Sequence, residues 1–239
     1  MMPGLPGMTP ETDLRDFKRL FEEEDFQPDM LKLYPTLLVK GSPLARNPGD
    51  FVPYDTETAA NVVADLKEIV PPYVRIQRIQ RDIPKPQIIA GVMNSNLRQY
   101  ARKEMKRRGK KCRCINCREL WRAQIDPETA ELKEIEYKSS GGTEYFISYE
   151  SGTKLLAYLR LRLDDNATVR ELKVTGQAAN IGKTGSGVQH MGLGSKLMKI
   201  AEEKSKDYDK IRVTHGAGTR LYYEKLGYKL EDYYMTKDL

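Results

Sequence analysis

Histidine, tryptophan and cysteine are scarce in this chain. Its 239 residues include two histidines, one tryptophan and three cysteines. The three thiols, Cys112, Cys114 and Cys117, fall within one six-residue stretch. Such a cluster makes a poor disulfide framework, and in a reducing compartment its spacing favours metal. No apolar run approaches the roughly 20 residues of a membrane span, and no signal peptide opens the sequence. The expectation is a soluble cytoplasmic protein without a membrane partner. Hydrophobic residues make up 39%, enough for one large domain or two small ones.

Acidic residues are nearly missing from one window. Residues 75–122 hold fifteen basic side chains against Asp82, Glu104 and Glu119, whereas the rest of the chain is net acidic. A bland solvated face mixes both signs, so this window reads as a nucleic-acid patch. Its main contributors are Arg75, Arg78 and Arg81, then Arg98, Arg102, Lys103, Lys106, Arg107 and Arg108.

Apolar periodicity places the elements. Thr9-Pro10 starts a helix through DLRDFKRLFEE, with Leu14, Phe17, Leu20 and Phe21 on one face. LKLYPTLLVKG reads as a short buried strand, ETAANVVADLKEIV as a helix and YVRIQRIQRDIP as a strand. That order belongs to an α/β layer. A basic helix follows from about Asn96 to Gly109. From Glu134 four strand-like segments succeed one another. After a Gly/Ser/Thr-rich loop over 176–188 come a helix (191–207), strand IRVTH, helix TRLYYEKLG and one last strand, YKLEDYYM.

The clearest chemical signal is QHMGLGSKL, between a strand and an amphipathic helix. Glycines there let backbone N–H groups converge on one point, and the helix N-terminus adds partial positive charge. Together these make a diphosphate cradle. The pattern resembles the acetyl-CoA pyrophosphate loop of the GNAT acetyltransferases. It makes Gln189, His190, Met191, Gly192, Leu193, Gly194 and Ser195 the cofactor-binding candidates. GQAANIGKTG is not a nucleoside-triphosphate loop, because five residues separate Gly176 from Gly182 where four are required. In the GNAT fold a tyrosine in the helix after the fifth strand lies near the CoA sulfur, where a phenol can protonate a departing thiolate. Tyr222 and Tyr223 are the catalytic candidates. Being adjacent, they face different sides of a helix, one toward the core and one toward a cleft.

LKLYPTLLVKG, VPPYVRIQRIQRDIP, SNLRQYARKEM, VRELKVTG, QHMGLGSKLM and GTRLYYEKLGYKLEDYYM occur in this order. The series resembles the catalytic subunit of Elongator over nearly the whole chain. That resemblance implies an acyltransferase that modifies the wobble uridine of tRNA to a carboxymethyl-type product, using acetyl-CoA and SAM. It implies an α/β chain: part of a radical-SAM barrel (1–85), a basic linker with the cysteines (86–135) and a GNAT acetyltransferase domain (136–239). The basic window would then face tRNA, with Tyr100 or Trp121 as candidates to stack on a base. Other Elongator subunits or a second copy are further partners. The family's four-iron cluster takes cysteines spaced C-x3-C-x2-C, whereas this chain has only C-x-C-x2-C. The expected chain is thus an N-terminally truncated relative that retains tRNA binding and acetyl-CoA binding or hydrolysis, without SAM cleavage.

For the cysteines, a disulfide between Cys112 and Cys114 is too close to form easily. Structural zinc stapling the linker fits better, with unligated thiols as the alternative. The fourth ligand is not evident: a water, a carboxylate or a residue outside the chain would serve. Two rival functions stand beside the main reading. One is a conventional N-acetyltransferase, for which Glu171 is the general base to test. The other is a non-enzymatic tRNA-binding fragment whose CoA pocket is blocked by the 177–188 loop.

Overall fold

Thr9 caps helix α1 (Pro10–Glu22) as its sequence suggests. Its hydroxyl accepts from the Thr12 N–H, and the Thr12 side chain accepts from the Thr9 N–H in return. This computed structural model describes residues 1–120, 129–175 and 192–239. Two units divide the chain, Met1–Cys117 and Arg118–Leu239.

In the first unit, strand β1 (Met30–Leu33) is followed by β2 (Leu38–Val39) and the one-turn helix α2 (Pro43–Arg46). LKLYPTLLVKG is therefore two strands rather than one, because Pro35 can donate no ladder hydrogen bond between them. Helix α3 (Thr56–Ile69), capped by Asp55, carries the chain over to β3 (Arg75–Ile79), which pairs in parallel with β1. Parallel neighbours need such a crossover. Strand β4 (Ile88–Ala90) returns antiparallel to β2, and α4 (Leu97–Arg107) packs on α3. Met1 to Pro3 runs beside the segment after β1, through Tyr34 N–H to the Met1 carbonyl and Thr36 N–H to the Pro3 carbonyl.

The second unit follows the one-turn helix α5 (Ile115–Arg118). It is built on a seven-stranded sheet of β5 (Glu131–Ser139), β6 (Gly142–Ser151), β7 (Lys154–Leu163), β8 (Ala167–Val174), β9 (Lys210–Thr214), β10 (Lys229–Glu231) and β11 (Tyr234–Asp238), in the order β10-β11-β9-β8-β7-β6-β5. Every pair is antiparallel except β8 with β9. Helices α6 (Leu193–Lys204) and α7 (Arg220–Glu224) flank β9 in the sequence. Leu193, Leu197, Met198 and Ala201 of α6 join Leu159, Leu161, Val169, Ile211 and Val213 in one core. YKLEDYYM proves to be a hairpin rather than a single strand. Asp232 turns the chain at φ +52 and Leu230 lies opposite Met235. Asp is one of the few non-glycine residues that tolerate the left-handed region this turn requires.

Arg160 is almost fully buried on β7. It lies 5.4 Å from the Phe146 ring centroid and 5.8 Å from that of Tyr158, and donates to Glu171 at 3.0 Å. On the same sheet Glu144, equally buried, accepts from Arg162 at 3.1 Å and Arg170 at 2.8 Å. Charges that cannot reach water are paired, which is what makes their burial tolerable.

In the first unit Asp13 has no such counter-charge. It is 4% exposed, and one oxygen accepts both the Gly4 N–H (2.8 Å) and the Tyr54 hydroxyl (2.9 Å). Burial raises its carboxyl above the usual range, against the lowering effect of those two hydrogen bonds. A carboxyl whose folded pKa is raised costs stability as pH rises through that pKa. The Asp13→Asn chain, which keeps an acceptor, should therefore unfold at a higher temperature than the parent at pH 7. That advantage should shrink as pH falls toward 4, as read by thermal unfolding across the range.

Candidate functional site

The sheet of the second unit opens in its middle. β8 pairs with β9 only through Ala167, Thr168 and Val169. At that point the β7–β8 register shifts: Val169 faces Leu161 but Glu171 faces Arg160, leaving Arg170 as the extra residue of a bulge. Beyond it, residues 171–174 stay paired with β7 and have no strand on their other side among the described residues. Burial follows the pairing, since Ala167 to Val169 are buried and the next five residues are not.

Helix α6 starts beside this opening. Gly192 is its N-cap at φ +65, and among the described residues no side chain caps the helix. The N–H groups of Leu193, Gly194 and Ser195 precede the first helical hydrogen bond, from Lys196 N–H to the Gly192 carbonyl at 3.0 Å. A helix N-terminus with free N–H groups attracts anions. The glycines act differently. Gly192 supplies the left-handed turn, with open space where a Cβ would stand. Gly194 supplies clearance: a Cβ there would lie 2.7 Å from the Tyr222 hydroxyl and 3.6 Å from Val174.

That contact settles the direction of the tyrosine pair. Tyr222 is 37% exposed, with its hydroxyl against the start of α6, while Tyr223 is 5% exposed within the core. The rings meet edge to face, with centroids 5.1 Å apart. Burial pushes the Tyr223 phenol up to about 12. Gly192, Leu193, Gly194, Ser195 and Tyr222 are thus brought together. Gln189, His190 and Met191 lie outside the described residues, as do the 176–188 loop and Trp121. Glu171 accepts from Tyr158 and Arg160, so its carboxylate is already committed.

A second centre lies in the first unit. The sulfurs of Cys112, Cys114 and Cys117 are within 4.8 Å of one another, with Cys114 fully buried. The loop holds its shape through four hydrogen bonds: Lys110 N–H to Met105, Ile115 N–H to Val74, Cys117 N–H to Cys114 and the Asn116 amide to Ile76. Three thiols this close, held by the backbone, match the soft donor set that zinc prefers. Lys67 of α3 is 2% exposed, and its Nζ donates to the Cys117 sulfur at 3.5 Å. Hydrogen bonding with Cys112 and Cys114 pulls the Cys117 thiol well down, aided by Lys67, while hydrogen bonding with Cys114 and Cys117, together with burial, pushes the Cys112 thiol up. Lys67 was missed in the sequence, yet a signal existed. It stands four residues after Val63 and seven after Ala60, on the apolar face of α3.

The basic window divides in two. On α4, Leu97, Ala101 and Met105 face inward, leaving Arg102, Lys103 and Lys106 exposed with no ion-pair partner among the described residues. Arg81 is exposed in the same way. Other arginines are engaged. Arg108 bonds Glu104, Asp65 and Asn61, Arg107 bonds Glu104, Arg78 bonds Asp82, and Arg98 reaches the carbonyls of Ile76 and Gln77. Arg75 is half-buried in β3. Tyr100 is 39% exposed on the same helix as the free cations.

Comparison with known proteins adds relatives to this geometry. A family described as the Radical_SAM C-terminal domain matches residues 28–107. The tRNA uridine(34) acetyltransferase of Methanocaldococcus infernus is 42% identical over 264 residues, covering 100% of this chain and 49% of that protein. The protein of that name from Dehalococcoides mccartyi is 41% identical, over 100% of this chain and 57% of its own length. Elongator complex protein 3 of Saccharomyces cerevisiae is 38% identical, over 99% and 47%. The solved structure of archaeal M. infernus Elp3 with an N-terminal deletion superposes with a TM-score of 0.91 at 42% identity, covering 100% of this chain and 62% of that one. The chain spans about half the length of the curated relatives it matches.

The Gly192 turn has a measurable cost when altered. A non-glycine residue in the left-handed region costs roughly 1–2 kcal/mol, so Gly192→Ala should lower unfolding free energy by about that much in urea titration. Gly192→Asn should lose less.

Proposed function

We propose a function for a chain that is, over its whole length, a homologue of part of the tRNA uridine(34) acetyltransferases and Elongator complex protein 3. In this reading the chain binds tRNA and acetyl-CoA and acts as an acyltransferase of the tRNA uridine type, in the cytoplasm. The second unit is a GNAT-type acetyltransferase domain. The observation that carries the reading is the opening between β8 and β9, with the Gly192-capped N-terminus of α6 and the Tyr222 hydroxyl at its mouth.

The N–H groups of Leu193, Gly194 and Ser195 hold the pyrophosphate. Gln189, His190 and Met191 complete the loop. The free edge of β8 offers backbone partners to the amide groups of a pantetheine chain, by the strand-addition logic of peptide recognition. Tyr222 donates its phenolic proton to the departing thiolate, and Tyr223 packs behind it as a positioning residue. Arg102, Lys103, Lys106 and Arg81 are the phosphate contacts for tRNA, with Arg75, Arg78, Arg98, Arg107 and Arg108 shaping the surface around them. Zinc on Cys112, Cys114 and Cys117 staples the basic segment. All three cysteines are used there, so none remains for a four-iron cluster. SAM cleavage and the complete carboxymethyl transfer are not assigned to these residues.

The test is CoA-thiol release from acetyl-CoA, with and without tRNA, in the parent and in Gly192→Glu. A carboxylate at the helix N-terminus suits the dipole but repels a diphosphate. Release that requires tRNA and falls at least ~10-fold in the variant supports the reading. Tight tRNA binding without release leaves a tRNA-binding fragment, and release driven by amines rather than tRNA makes the chain a conventional acetyltransferase.

Binding of tRNA gives a separate check. With ~6 phosphates neutralised, the log–log salt slope should be about −4 to −5. Replacing Lys103 and Lys106 by alanine should make the slope less steep by about 1 to 2 and weaken all tRNAs alike. A slope unchanged in that double variant would move the tRNA surface elsewhere.

A further inference from the structure

Lys67 is a buried ammonium group in a unit with acidic residues to spare, yet none of them pairs with it. The acidic neighbours on its own helix are committed elsewhere: Asp65 to Arg108 and Glu68 to Lys110. Glu104 of α4, the helix packed on α3, holds Arg107 and Arg108. What faces Lys67 is sulfur. Its Nζ lies 3.5 Å from Cys117, and it interacts with Cys112 and Cys114 as well. A lysine this buried is rarely tolerated without a counter-charge.

Resting on the reading of Cys112, Cys114 and Cys117 as a metal site, we propose that Lys67 completes that site electrostatically. Three thiolates on a divalent cation carry one net negative charge, here at a site where Cys114 is fully buried and Cys112 and Cys117 are half-buried. The ammonium of Lys67 cancels it. A fourth anionic side chain would leave the centre charged again, and among the described residues the cluster contains only the three cysteines. The remaining position is then filled by a neutral donor such as water. Lys67 is a positioning and charge-balancing residue, not a ligand, and it acts on the metal through its N–H to the Cys117 sulfur. Partners of this kind govern how tightly a ligand set holds its ion.

The experiment uses the whole chain under reducing conditions. Zinc affinity is measured by competition with a chromophoric chelator for the parent, Lys67→Arg, Lys67→Gln and Lys67→Met. Cobalt is then substituted, and its thiolate-to-metal absorption is recorded. The parent should bind one zinc per chain. Lys67→Arg, which keeps the charge, should bind within about 3-fold of the parent. Lys67→Gln keeps a donor without the charge, and Lys67→Met keeps neither. Both should bind about 10- to 100-fold more weakly. The cobalt band should be the same in the parent and in Lys67→Arg, because the ligands are unchanged.

Equal affinity for Lys67→Gln and the parent would overturn the proposal, and so would a loss in Lys67→Arg as deep as in Lys67→Gln. A shifted cobalt band in Lys67→Arg would make the lysine a ligand and overturn it too. Circular dichroism of each variant with chelator present is the control: if Lys67→Gln and Lys67→Met both unfold there, the lysine serves packing alone and the idea fails. A parent chain that binds no zinc removes the metal reading itself, a different failure from variants that bind as well as the parent.

Discussion

The opening of the sheet at Val169 is the constraint on which the second unit depends. A β-strand must satisfy N–H and C=O groups on both edges. The Arg170 bulge lets β8 keep β7 while parting from β9, so the outer edge of residues 171–174 meets no strand among the described residues. The core supports that parting rather than resisting it. Leu193, Leu197 and Ala201 of α6 pack against Val169 and Ile211, so the helix starts at the mouth of the gap instead of covering the whole of it. The same placement sets the Gly192 end of α6 beside the opening, where Tyr222 also arrives. Backbone polarity, helix polarity and a phenol converge because β8, past its bulge at Arg170, stays with β7 and leaves β9.

Elements with strong periodicity and a cap were legible in the sequence. Thr9-Pro10 and the apolar stripe of α3 were read within a residue or two of their observed ends. The glycine pattern located the start of α6, although the helix begins at Leu193 rather than Met191. What escaped had no local code. The bulge at Arg170 arises from register against β7, which no short window contains. The final hairpin turns on Asp232, a residue that more often sits in ordinary loops. Which of Tyr222 and Tyr223 faces the cleft depends on where Gly194 lies in space, since adjacent helical residues are equivalent until a neighbour distinguishes them. The cysteines were visible as a cluster but their partner was not, because Lys67 lies 45 or more residues earlier in the chain.

Charge in the basic window serves two purposes that composition alone cannot separate. Arg108 and Lys110 pair with Asp65 and Glu68, tying the end of α4 and the turn after it to α3, while Arg107 and Arg108 share Glu104 of α4. Arg102, Lys103 and Lys106 lie on the opposite face and pair with nothing among the described residues. Helical periodicity sorts them: positions 97, 101 and 105 are buried, which turns 102, 103 and 106 outward. The internal pairs hold the helix in place, which fixes the backbone positions from which the unpaired cations extend.

The same sorting explains why Lys67 stands apart. An exposed lysine would be one more surface cation, but Lys67 is on the apolar face of α3 and 2% exposed. Burying it is favourable only if something anionic is buried with it. Carboxylates were available within one helical turn, and they are directed outward to α4 and Lys110 instead. The thiols are the remaining candidates, and a thiol becomes an anion most readily when a metal and a fixed positive charge are both beside it. The buried lysine and the three-cysteine loop therefore account for each other: each alone would be an unexplained cost, and together with a divalent cation they make a neutral unit.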